Sequence, residues 1–170
     1  MRFLMKVELK FTFSIILDLL GITTLLVFWI LVIIKVPGLP EEIPTHFNYK
    51  GEADSFGSRQ SAYLLPGIAT VLFIILSIVN RYPEKFNYPF SVNEQNASRH
   101  YRLAANFIRV VRLMIVFVFL LIFLVTTTGS STSLSWLLPL ILVITFLPLL
   151  IYLFLASRIN NEITSKHISR

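Results

Sequence analysis

Four apolar runs decide what this chain can become. They cover residues 12–36, 62–80, 107–128 and 134–157. Each reaches the roughly 20 residues that a helix needs to cross about 30 Å of hydrocarbon. In hydrocarbon the backbone N–H and C=O groups must be satisfied inside the segment, so each run is expected to be a helix. Composition agrees: 55% of residues are hydrophobic, against about 45–50% in ordinary soluble domains. The expected fold is all-α integral membrane, with four transmembrane helices in a single membrane domain over residues 1–170.

Local features fit this expectation. The apolar core of the first run exceeds the roughly 7–15 residues of a signal peptide and no A-x-A-like site follows, so an uncleaved helix is expected. Arginines at the start of the third run can snorkel. Pro139 falls in a first turn, and Pro148 should bend the fourth helix.

Lysine and arginine are unevenly distributed. Arg2, Lys6 and Lys10 precede the first run, and Arg81, Lys85, Arg99, Arg102, Arg109 and Arg112 occupy the second connection and the start of the third. Arg158, Lys166 and Arg170 follow the fourth. Against these twelve, the opposite side has Lys35, Lys50 and Arg59. The positive-inside rule then puts both termini in the cytoplasm, the connection at 81–106 inside, and the loop at 37–61 outside a plasma membrane. The net charge of +6 thus points to the lipid bilayer as partner, and not to nucleic acid. Asn96-Ala97-Ser98 matches the glycosylation sequon but falls on the inner side.

The loop "LPEEIPTHFNYKGEADSFGSR" is the least apolar stretch of the first half. Pro37, Pro40 and Pro44 stop the first helix and favour extended backbone. Thr45 to Asn48 reads as a short strand, Tyr49-Lys50-Gly51-Glu52 as a turn with Gly51 at positive φ, and Ala53 to Phe56 as the returning strand. Gly57 and Ser58 break and cap before the second helix. An ordered outer cap is expected. His46, Asn48 and Asp54 converge if the hairpin forms. They serve either as a ligand or peptide site, or as turn scaffolding with Asp54 paired to Arg59. Cysteine is absent, so disulfides, thiolate catalysis and cysteine metal sites are excluded. No calcium loop or trustworthy serine–histidine–acid order is present, and no metal or cofactor is expected.

With Ile43, Pro44, His46, Asn48, Gly51, Asp54, Gly57, Ser58 and Arg59, this loop and the following "YLLPG" resemble the bacterial membrane module called domain of unknown function 1648. "RYPEKFNYPFSVNEQNASRHYRL" resembles that family's second connection. The module forms the N-terminal part of SdpI-like toxin-immunity proteins. The resemblance implies a non-enzymatic immunity or signal-sensing protein whose outer loop, through His46, Asn48, Gly51, Asp54, Gly57, Ser58 and Arg59, meets a secreted toxin or peptide.

Near the inner face, Asp18 lies about 12 Å of helix beyond Lys10, at 1.5 Å per residue. A carboxylate there needs a partner. Arg109 and Arg112, one turn apart, are its expected partners in a structural ion pair between the first and third helices. Ser91-Val92-Asn93-Glu94 has capping-box spacing, so the third helix is expected to start well before the membrane. Arg99, Arg102, Asn106 and Arg109 then share one basic face. That face suits anionic headgroups, or docking of a cytoplasmic regulator. His100 and His167 are expected to be solvated. The competing functional class is a small membrane enzyme or transporter using His46, Asn48 and Asp54.

Overall fold

The computed structural model describes residues 2–127 and 136–168, with side chains placed for 12–127 and 136–162. The expected turn at 129–133, Thr128 and Leu134 lie outside the described residues, as do the side chains of Arg2, Lys6, Lys10, Lys166, His167 and Arg170.

Among the described residues, four α-helices form: α1 (Arg2–Lys35), α2 (Leu64–Val79), α3 (Ala97–Thr127) and α4 (Leu137–Ile168). Each is long and apolar enough to cross a membrane, α2 together with the turn that precedes it, over Arg59–Val79. Leu19, Leu26, Ile30 and Ile34 on α1 and Leu150 and Phe154 on α4 are exposed. In water these faces would be an aggregation surface, whereas in hydrocarbon they are an ordinary lipid-facing coat. The chain is a multi-pass membrane protein. Hydroxyls inside the helices donate to carbonyls one turn back, as Thr24 does to Leu20, Thr70 to Pro66, Ser77 to Phe73 and Thr145 to Ile141. They therefore need no water in the spanning region.

α3 is the central helix, packing against α1, α2 and α4. Phe28 and Val32 of α1, Ala69 of α2, and Val116 and Phe123 of α3 are buried together. The Phe28 and Phe123 rings lie 5.7 Å apart, tilted by 50°, within the favourable range for aromatic pairs. The Trp29 indole donates to the Thr70 hydroxyl at 3.0 Å, linking α1 to α2.

The structure moves several expected boundaries. α1 starts at Arg2 instead of residue 12, because hydropathy marks where hydrocarbon begins and not where helical hydrogen bonding begins. α2 starts at Leu64, after a 3-10 turn at Arg59–Tyr63 that occupies the first residues of the second apolar run. The cap of α3 is not the Ser91–Glu94 box. Asn93 Oδ1 accepts from the N–H of Gln95 and Asn96, and Asn96 Oδ1 accepts from the N–H of Asn93 at 2.8 Å. This is the same reciprocal cap, shifted two residues and built from asparagines. Asn96 is buried and also donates to Ser91 O, so both the oxygen and the nitrogen of its amide have a partner. His100 is likewise buried rather than solvated. It meets the Tyr88 ring edge-on at 5.9 Å.

Candidate functional site

α1 ends where Pro37 removes a donor, in a 3-10 turn at Val36–Gly38. The chain then folds into an antiparallel hairpin of β1 (Glu42–Phe47) and β2 (Ala53–Ser58). Ile43 seats this hairpin on the bundle, buried in one cluster with Val36 and Ala62. Arg59 closes its base: the guanidinium donates to Pro37 O at 3.2 Å and Leu39 O at 2.9 Å. Arg59 is thus a clamp on backbone carbonyls and does not pair with Asp54. Ser58 caps the 3-10 turn that leads into α2. Gly57 allows close strand contact, since a Cβ there would sit 2.9 Å from Thr45 Cγ2.

Asn48 organises the hairpin tip. Its Oδ1 accepts from the N–H of Lys50 at 2.9 Å and of Glu52 at 3.1 Å, and its Nδ2 donates to Glu52 Oε2 at 3.0 Å. Gly51 N donates to Asn48 O, and Gly51 has φ 78°, a region where a Cβ is strained. Asn48 and Gly51 therefore shape the loop.

His46 and Asp54 are placed differently. The strand register shifts on both sides of His46. Such bulges are over-represented next to functional sites because they re-aim a side chain. His46 Nδ1 meets Asp54 Oδ1 at 2.5 Å, with side chains 68% and 43% exposed. With Asp54 ionised, the neutral imidazole carries its hydrogen on Nδ1 and leaves Nε2 as an acceptor. Tyr49 at the tip is exposed. Below them lies an apolar groove of about 470 Å³, lined by His46, Tyr49 and Gly51 of the hairpin, Ile122 and Thr126 of α3, and Leu138 of α4. The arrangement suits recognition of a ligand with an apolar part and a polar end. Among the described residues, no three His, Asp or Glu side chains converge to hold a metal ion.

At the other end of the bundle, Asp18 meets Arg109 and Arg112 of α3. Arg109 Nε lies 3.2 Å from each Asp18 oxygen, and Arg112 donates to Asp18 Oδ1. Arg112 is buried, also donates to Ser77 at 2.6 Å, and lies 4.3 Å over the Phe73 ring. Gly21 leaves room for that ring, since its Cβ would come within 2.9 Å of Phe73 Cε2. Asn106 extends the network, accepting from Ser14 at 2.9 Å and Arg109 at 3.3 Å. Arg99, on the same helix, pairs with Glu162 of α4 at 2.8 Å.

Sequence reasoning missed the plug that orders the connection between α2 and α3. Tyr88 donates to Pro83 O at 2.8 Å and stacks among Phe86, His100 and Tyr101. Burial, with Tyr152, Tyr101 and Glu84 nearby, pushes its phenol up to about 12. It therefore remains a neutral donor across the physiological range. The available signal was the density of aromatics in a polar segment.

Residues 23–70 match the family model "Domain of unknown function (DUF1648)". The matched stretch runs from the C-terminal part of α1 through the hairpin into α2. An uncharacterized protein of Archaeoglobus fulgidus is 35% identical over 78 residues, covering 41% of this chain and 43% of that protein. The chain thus spans less than half the length of this curated relative. No solved structure matches.

Proposed function

For a chain that carries domain of unknown function 1648 at residues 23–70, we propose a non-enzymatic role in the cell membrane. Both termini face the cytoplasm, and the outer hairpin recognises a membrane-active toxin or peptide, for immunity or for sensing. The observation that carries this reading is the exposed His46–Asp54 pair on a bulged, rigidly seated strand, standing over an apolar groove. An amphipathic peptide has the matching chemistry: an apolar side chain for the groove and a polar group for His46 Nε2. Charge distribution supports the orientation. The basic inner face is available to a cytoplasmic regulator.

A membrane enzyme is the second reading, favoured by one feature. A carboxylate on Nδ1 is how a catalytic base is oriented. Ser55 lies across the strand from His46, but its hydroxyl accepts from Thr45 at 3.4 Å.

The test is survival of a deletion strain, with and without the gene, against culture supernatants of its own and neighbouring species. Protection should require the gene and disappear in His46→Ala and Asp54→Asn while membrane abundance stays normal. Equal survival across the panel, together with substrate turnover by the purified protein that Ser55→Ala abolishes, would leave the enzyme.

A further inference from the structure

Two cavities open side by side between α1, α3 and α4, at the end of the bundle that holds the start of α3. The first, about 570 Å³, presents Arg99, Arg102, Arg158 and Glu162. The second, about 290 Å³, shares Phe13, Leu103, Asn106 and Leu155 with the first. It continues deeper along Val110, Met114 and Pro148. A polar, cationic chamber thus opens into an apolar slot that follows the helices.

Among the described residues, arginines outnumber carboxylates in this region. Arg99 has Glu162 as partner. Arg102 and Arg158 have no carboxylate partner among the described residues, and Arg158 lies 5.6 Å over the Phe154 ring. Arg109 and Arg112 share the single carboxylate of Asp18. Their surplus charge adjoins the first cavity through Asn106, whose Oδ1 accepts from Arg109. Uncompensated cations at a low-dielectric boundary attract an anion strongly. The apolar slot beside them gives no reason to hold a free, fully hydrated anion. It is a surface for hydrocarbon.

We propose that these joined cavities bind one anionic phospholipid. Arg102 and Arg158, with Arg99, hold its phosphate, and one acyl chain lies in the slot between α3 and α4. Basic pockets between membrane helices are where acidic headgroups are recognised in general. Here the neighbouring slot adds a requirement for a chain.

Native mass spectrometry of the full chain released from detergent tests this, with dioleoyl phosphatidylglycerol, dioleoyl phosphatidylcholine and inorganic phosphate as probes. Phosphatidylglycerol should remain bound where phosphatidylcholine and phosphate do not. The double variant Arg102→Gln/Arg158→Gln should weaken it roughly thirtyfold. Leu155→Trp, which fills the junction of the cavities without changing charge, should weaken it as well. Arg81→Gln, a charge outside the cleft, should leave it unchanged. Equal retention of phosphatidylcholine would overturn the proposal, and so would displacement by inorganic phosphate, which would mark a free-anion site. Equal weakening by Arg81→Gln would show diffuse attraction only, and no effect of Leu155→Trp would remove the acyl chain. Circular dichroism reports whether each variant is folded. If the double arginine variant is not, Leu155→Trp and Arg81→Gln decide the matter.

Discussion

Within the hairpin, neighbouring residues divide into two kinds. Asn48 and Gly51 hold the turn, while His46 and Asp54 project from it. Asn48→Ala removes a side chain that makes three hydrogen bonds within the tip, and Gly51→Ala forces a Cβ into the left-handed region. Each should cost about 1–2 kcal/mol, seen as a lower thermal midpoint in detergent or faster proteolysis of the loop. His46→Ala and Asp54→Asn break an exposed pair and should stay within about 1 kcal/mol of the parent. Equal losses for all four would show that the His46–Asp54 pair is scaffolding too. Part of this was legible in the sequence. Glycine and asparagine advertise a turn through their backbone tolerance, so the hairpin could be located. The partner of Asp54 could not be, because Arg59 and His46 are both near in sequence. The choice depends on Arg59 reaching back to carbonyls that only the folded entry of the loop brings close.

Among the helices, the Asp18 network fixes α1 against α3. Arg112 is buried and Asp18 is 38% exposed, so each single loss leaves a charge partly stranded. Asp18→Asn and Arg112→Gln should each destabilise by about 1–3 kcal/mol, and the double variant should recover roughly 1 kcal/mol relative to their sum. Thermal unfolding in detergent measures this cycle, and strictly additive losses would exclude coupling. Arg109, more exposed than Arg112, should show the smaller coupling. Apolar length located all four helices, because the hydrocarbon thickness is a physical ruler. It could not locate where α1 and α3 begin, since both continue into sequence of ordinary polarity. Nor could it foresee the burial of His100, which depends on Tyr88 folding back from a connection with no periodic pattern.

The whole molecule presents its most patterned segment at one end and its charged network at the other. If the hairpin is outside, a single cysteine at Lys50 should react with an impermeant thiol reagent on intact cells, and one at Lys85 should react only after lysis. Both positions are exposed, so the contrast reports sidedness; labelling at 85 alone would invert the topology. The Asp18 pair also has a consequence for how the protein is made. Its partner Arg109 lies 91 positions further along the chain. A ribosome adding about 5–20 residues per second needs roughly 5–20 seconds to cover that distance. For that interval the newborn first helix carries, inside its apolar run, a carboxylate with no arginine to meet, at a cost below the roughly 2.5–3.5 kcal/mol of the helix centre. Its favourable place meanwhile is shallow and hydrated, with position 18 near the headgroups. A nascent chain arrested before Arg109 should therefore leave a cysteine placed at Leu17, beside the retained Asp18 and buried in the finished bundle, open to aqueous thiol reagents, and one arrested well after Arg112 should protect it. Insertion of the first helix to its final depth and docking of the third would then be a single event.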